Sequence, residues 1–388
     1  MKRFYHTIIV CTIVCAISGS PLFGQGCVGI RSVAGNMAVQ GSALLDKGDM
    51  DFSLNYRYFK SYKHFVGDVE QFERVEEETN VINHVHAFDL VYTYGLNKQW
   101  NISADVPIID NTRSQLASNT DSTKVRIETG SFGLGDVRFT LNRWMLDTYE
   151  HDKGNFSLGL GIKLPTGKYN AMDTFQYKGE DYTDVYREVD QSIQLGDGGF
   201  GFSVESQGFM EFVSNTLYGY YTLFYLFNPK DTTDAATYRS NPFEQHMSVP
   251  DQFLVRGGIS YFPSFVKGLG ISAGVRYEGI PVHDLIGETD GFRRPGYIIN
   301  VDPGLTYQNG PHQFTLNVPI AVYRNRTRSV ADENWTDLLA TDADPSNDVY
   351  KHGDAAFADY TVFLTYTFRL YRHKMDEHAP GSENDYIK

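Results

Sequence analysis

Twelve charged residues stand in stretches of the chain where apolar residues occupy nearly every second position. The basic ones are Arg57, Arg138, Lys163, Arg256, Arg276 and Arg369; the acidic ones are Asp89, Asp105, Asp136, Glu205, Glu278 and Asp302. Two kinds of chemistry are open to such a set. Carboxylates facing guanidiniums in a narrow space pair and fill it, whereas the same groups along a wider passage create a field that sorts solutes by charge. Because the two signs balance, a wall of one sign that selects ions of the other is not expected.

Other candidates carry less. His84 and His86 lie two apart, which puts both rings on one face of an extended segment, but no third ligand stands nearby and no metal is expected there. Two glycine sets resemble phosphate-binding loops without meeting their requirements. Gly161 to Gly167 has one residue too many between its outer glycines, and Tyr169 stands where Ser or Thr is needed; Gly268 to Gly274 continues into a strand pattern instead of opening a helix. Neither a Gly-x-Ser-x-Gly nor a His-Glu-x-x-His element occurs. No catalytic residue, cofactor or enzymatic activity is therefore expected, although a hydrolytic triad assembled from separate strands would leave no local signature.

The elements that must position the charged set are strands. Phe156, Leu158, Leu160, Ile162 and Leu164 alternate with Ser157, Gly159, Gly161 and Lys163. Phe52, Leu54, Tyr56 and Tyr58 alternate with Ser53, Asn55 and Arg57, and Ile102, Ala104, Val106 and Ile108 with Asn101, Ser103 and Asp105. Similar patterns recur near 86–95, 134–144, 199–206, 215–227, 252–261, 269–279, 297–307, 313–323 and 359–370. The connections alternate between short (95–98, around 152–155, 207–215, 263–268, 308–311) and long (60–84, 109–132, 166–198, 228–251, 280–296, 324–358). Short turns on one side and long loops on the other are the asymmetry of a membrane-spanning barrel with both chain ends in the periplasm. The expected fold is all-β: a transmembrane, antiparallel, up-and-down β-barrel of about twelve strands, within a range of roughly ten to fourteen. Aromatic residues gather near the strand ends, at Tyr92, Tyr94, Trp100, Trp144, Tyr261 with Phe262, and Tyr366 with Phe368, where rings with polar tips suit a lipid–water boundary.

Lys2 and Arg3 precede an apolar run from Ile8 to Ile17 and then small and turn-forming residues, the order of a secretory signal peptide. The run is about ten residues, too short for a spanning helix. The expected organisation is a signal peptide over 1–26, a periplasmic leader or small plug over 27–49, a barrel over 50–370 and a polar periplasmic tail over 371–388. Cys11 and Cys15 would leave with the signal, so Cys27 alone would remain; cleavage just before or at it is expected, with acylation as the alternative, since the aliphatic residue usual three positions upstream is missing. Loss of Lys2 and Arg3 moves the formal charge from -14 to about -16, which argues against a nucleic-acid partner. The expected surroundings are the bacterial outer membrane, its lipids and lipopolysaccharide, its barrel-assembly machinery and a small-molecule solute. Acids cluster in the first long loop (Glu70, Glu73, Glu76, Glu77, Glu78) and the third (Glu180, Asp181, Asp184, Glu188, Asp190). Without regular calcium-ligand spacing they are expected to be solvated, with cation bridging to lipopolysaccharide phosphates as the alternative.

Four short motifs resemble a family of outer-membrane transporters named for the MetA pathway of phenol degradation. They are Tyr94-Gly95-Leu96, Val106-Pro107-Ile108, Gly133-Leu134-Gly135-Asp136-Val137-Arg138 and Gly161-Ile162-Lys163-Leu164-Pro165-Thr166-Gly167. The resemblance implies a porin-like barrel that moves small organic molecules, and it supplies no catalytic residues. A more distant similarity is to the long-chain fatty-acid transporters, in which an N-terminal plug sits inside a larger barrel. The expected function is passive uptake or efflux of small, aromatic or hydrophobic molecules; the alternatives are a non-conducting barrel that displays acidic loops, and an outer-membrane hydrolase.

Overall fold

The computed structural model describes residues 44–118, 124–148, 150–176, 184–341 and 349–372. The expected signal peptide, Cys27, most of the leader and nearly all of the tail lie outside the described residues.

Twelve antiparallel strands close into a barrel. They are β1 (Met50–Val66), β2 (Ile82–Gly95), β3 (Trp100–Ser118), β4 (Lys124–Leu134 continued by Arg138–Trp144), β5 (Gly154–Lys163) and β6 (Gly201–Val213). The second half comprises β7 (Leu217–Phe227), β8 (Gln252–Tyr261), β9 (Leu269–Ile280), β10 (Gly296–Val301 with Gly304–Asn309), β11 (His312–Asn317 with Ile320–Asn325) and β12 (Ala355–Leu370). β12 pairs with β1 from Met50↔Leu370 to Phe65↔Ala355, so the sheet keeps no edge over that length. Closure matters because hydrocarbon offers backbone N–H and C=O groups no partner. Among the described residues no helix is long and apolar enough to cross a membrane.

Alternation turns the barrel inside out relative to a soluble protein. On β5 Phe156, Leu158, Leu160 and Ile162 point outward, Leu160 with 69% of its surface exposed, while Asn155, Ser157 and Lys163 are buried. Outward aromatics form a ladder near the loop end of the wall: Phe253 to Tyr277 at 5.0 Å, Tyr277 to Tyr297 at 5.3 Å and Tyr297 to Tyr323 at 5.7 Å between ring centroids. Trp144 departs from the boundary position expected of it. It shares the inward parity of Arg138 and Thr140, is 1% exposed and packs edge-on against Phe209 at 6.0 Å.

One of the connections expected to be a loop is largely ladder, and another is shortened. β3 and β4 stay paired from Ile109↔Gly133 to Ser118↔Lys124, while β1 runs on to Val66 mainly by pairing with β12, as at Phe65↔Ala355, and adds only Lys60↔His84 and Ser61↔Asn83 to its ladder with β2. Beyond the lipid both faces of these strands are polar, as with Asp110, Thr112 and Ser114 outside and Asn111 and Arg113 inside, so no apolar alternation marks them.

Three strands are interrupted part-way. Asp302-Pro303 and Val318-Pro319 break β10 and β11, where proline has no N–H to give the ladder. The Pro303 and Pro319 carbonyls still accept from Val318 and Thr361. Above Ile320↔Tyr360 no further rung joins β11 to β12. There the β11 side reaches past β12 to β1, through reciprocal Gly67 and Arg326 backbone hydrogen bonds of 2.9 and 2.7 Å. Ala355, Ala356, Phe357 and Ala358 of β12 are all buried beside that contact.

Candidate functional site

Alternation on the pleated wall carries eleven of the twelve charged residues into buried positions, and Arg369 into a largely buried one. Most meet. Arg138 on β4 lies 3.6 Å from Asp105 on β3 and 3.8 Å from Glu205 on β6, with its guanidinium 4.8 Å from the Phe224 ring. Glu205 also accepts from Ser203 and Thr140. Arg256 on β8 reaches Asp302 in the β10 interruption at 2.5 Å, and Asn317 donates to the other oxygen of that carboxylate. Arg276 grips Glu278 with two bonds of 2.7 and 2.8 Å. Arg57 and Asp89 are buried on the adjacent strands β1 and β2.

Two partners were not among the expected set. Asp51 holds Arg369 at the periplasmic end, with bonds of 2.7 and 2.6 Å. Its inward parity with Ser53 and Asn55 was readable in the sequence. Asp197 pairs with Lys163, whose ammonium also lies 3.7 Å from Asp136. Asp197 sits in a long loop, where alternation gives no information.

The two longest of the four motifs meet in one knot. Where β4 is interrupted at Gly135 to Val137, Leu164 N–H donates to the Val137 carbonyl and Val137 N–H to Thr166 Oγ1. The Asp136 carboxylate accepts from the backbones of Gly167 at 2.9 Å and Asp197 at 3.1 Å. A Cβ on Gly167 would stand 2.7 Å from Gly196 Cα, so two loop backbones touch and neither position has room for a side chain.

Above the network lies a cavity of about 150 Å³. Its charged side is Arg57, Asp105, Arg138 and the Lys163 knot; its apolar side is formed by Phe59, Ile109, Leu195, Phe224, Leu226 and Ile280. Leu195 comes from the loop between β5 and β6, which folds into the barrel and packs on Ala87 and Ile109. The short 3-10 turn Gln191–Ile193 anchors it, since the Ile193 carbonyl accepts from Asn111 and Ser131 inside the wall.

Three loops then close the mouth. Gln191 donates to the carbonyls of Ser248 and Phe292 at 2.9 and 3.0 Å, joining the β5–β6 loop to the β7–β8 and β9–β10 loops. Asp190 takes two bonds from Arg294, of 2.9 and 2.8 Å, and lies 3.4 Å from Arg113. Burial alone would raise its pKa, but the Arg113 and Arg294 guanidiniums overrule it and hold the carboxyl well below the usual range. Arg293 clamps Asp284 and Ser248 beside it. Asp190 was expected to be a solvated loop acid and is instead the centre of the cap. Only its distant partners make that evident.

His84 and His86 point outward and hydrogen-bond the hydroxyls of Tyr58 and Tyr56 at 3.1 and 2.8 Å. Among the described residues no group of three or more His, Cys, Asp or Glu side chains is placed to hold a metal.

No protein-family model and no curated protein sequence matches the chain. Solved structures do. The crystal structure of an outer membrane channel from Pseudomonas putida F1 aligns with a TM-score of 0.53 at 10% identity, covering 88% of this chain and 100% of that one. A Pseudomonas aeruginosa FadL homologue aligns at 0.44 with 9% identity, covering 89% and 99% of the two chains. The Pseudomonas putida toluene transporter TodX aligns at 0.43 with 10% identity, covering 89% and 96%. The first of these likenesses and the closed sheet agree on the architecture: the chain has the fold of a twelve-stranded outer-membrane β-barrel.

Proposed function

We propose that the protein is a narrow outer-membrane channel that passes small, partly apolar molecules. The observation that carries this reading is the cavity, which has an apolar side made by Phe59, Ile109, Leu195 and Phe224 and a charged side made by Arg57, Arg138 and Lys163. A lumen that only filled space would need no such division. A molecule with an apolar body and a polar end satisfies both sides. The solved barrel with the same architecture is an outer membrane channel, which supports the reading without naming a solute. The twelve charged residues act here as lining as well as bracing: Arg138 is buried, yet its carboxylate partners stand at 3.6 and 3.8 Å, leaving hydrogen-bonding capacity directed at the cavity.

A second reading, a filled barrel that displays its loops, is favoured by the short ion pairs Arg256–Asp302 and Arg276–Glu278, which occupy lumen space. Single-channel recording of the folded protein in a planar bilayer separates the two. The channel reading expects small, stable conductance steps. A silent bilayer from protein with the heat-modifiable mobility of a folded barrel would establish the filled-barrel reading instead.

A further inference from the structure

The periplasmic half of the lumen is divided into two unlike sides. On β4, β5 and β7 the inward side chains are packed shut: Trp144 and Ser157 are each 1% exposed, Thr222 3% and Tyr218 4%. Rings fill this side. Trp144 packs on Phe209, and Tyr218 meets Phe262 edge-on with 5.5 Å between centroids. The glycines of β8 and β9, which include part of the second set that resembled a phosphate-binding loop, make room for these rings. A Cβ on Gly270 would stand 2.5 Å from the Phe262 ring, and one on Gly258 or Gly274 would stand 2.7 Å from the Tyr220 hydroxyl.

β1 and β12 present the opposite condition. Across the closing ladder Ser53 faces Thr367, Asn55 faces Thr365 and Arg57 faces Phe363. All share the inward parity of Arg57, which is buried, yet Ser53, Asn55, Phe363, Thr365 and Thr367 are only half-buried. Inside a closed wall such exposure means open space, and it continues along this one seam for three rows. The seam is therefore a slot. The Asp51–Arg369 pair stands at its foot, and at its head Arg57 also lines the inner cavity. We infer that this slot is the outlet of the channel: a solute leaves the cavity past Arg57 and descends along β1 and β12 to the periplasm, while the ring-filled side stays closed. The inference rests on the channel reading and adds the route. The uncharged side chains along it suit a solute that must exchange one set of hydrogen bonds for the next. The Ser53 and Thr367 hydroxyls bond each other at 2.7 Å, and since a hydroxyl has one donor and two acceptor sites, the pair keeps acceptor capacity for a passing group.

Cysteine substitution in the full mature chain, carrying Cys27→Ser and folded in micelles, tests the route with a cationic methanethiosulfonate as the probe. Thr365→Cys and Ser53→Cys are expected to react roughly tenfold faster than Ser157→Cys and Thr222→Cys, because a thiol reacts only where the reagent can reach it. Each variant is first checked for heat-modifiable mobility. In a planar bilayer, the label on Thr365→Cys should cut single-channel conductance by about half, whereas treating Ser157→Cys with the reagent should leave it unchanged. Equal reaction rates on the two sides, or a labelled Thr365→Cys that conducts as before, would overturn the inference. The two readings fail differently. Stable conductance steps with equal rates sink the route and leave the channel standing; a fast-reacting Thr365→Cys in a barrel that never conducts sinks the channel reading and the route with it.

Discussion

Arginine–carboxylate pairs hold both the lower lumen and the cap, but the backbone behind them differs. In the lumen, Arg276 and Glu278 stand two residues apart on one strand, and Arg256 and Asp302 lie on neighbouring ladders. Those strands would keep their places without the pairs. In the cap, Asp190 and Arg294 are 104 residues apart on loops with few rungs of their own. There the ion pair is the joint itself. The same chemical bond therefore tunes charge in one region and sets geometry in the other.

Three substitutions or titrations would break or sharpen that contrast. The largest effect is expected from Asp190→Ala. It leaves Arg113 and Arg294 buried together without their shared carboxylate, a loss on the order of 3–5 kcal/mol for a buried pair. The β5–β6 loop should let go, raising single-channel conductance severalfold while the barrel keeps its melting behaviour. Unchanged conductance would mean that the hydrogen bonds of Gln191 suffice to hold the cap.

Acid should produce a similar but smaller opening. The folded pKa of Asp190 lies well below the ordinary carboxylate value, because the Arg113 and Arg294 guanidiniums outweigh burial. Stabilisation from such groups is present above the unfolded pKa and is lost as pH falls through the folded one. Glu244 runs the other way, because burial raises it, so its charging opposes the cap. Conductance should thus be steady from about pH 5 to 8 and increase below roughly pH 3. An opening centred near neutrality would point to a different group.

The smallest effect is expected in the lumen. Lys163→Gln removes one cation from beside Asp136 and Asp197 and should shift the reversal potential toward cation preference, by about twofold in permeability ratio, with no change in cap behaviour. No shift at all would take the lower network off the conduction path.

How much of this was legible in the sequence follows the same divide. Lipid supplies a strict rule, apolar at every second position, and the number of strands could be read from it, although 207–213, expected to be a turn, is the second half of β6. The rule ends where the lipid ends. The polar extensions of β3 and β4, the inward loop bearing Leu195 and Asp197, and the cap centred on Asp190 are set by partners tens of residues away, which no local pattern encodes. Trp144 shows the limit inside the membrane as well: its type suggested the boundary, while its parity with Arg138 pointed inward, and parity was the better guide.

The contact between Gly67 and Arg326 gives the barrel a mechanical character that a uniform sheet lacks. Around most of the wall, hoop tension is shared by ladders many rungs long. Above Ile320 the ladder from β11 to β12 stops, and the load passes to β1 through the two Gly67–Arg326 hydrogen bonds and to β12 through Arg324, which donates to the Ala358 carbonyl and the Asp359 carboxylate. A closed strap becomes there a lapped one, fastened by a few separate bonds in place of a continuous ladder.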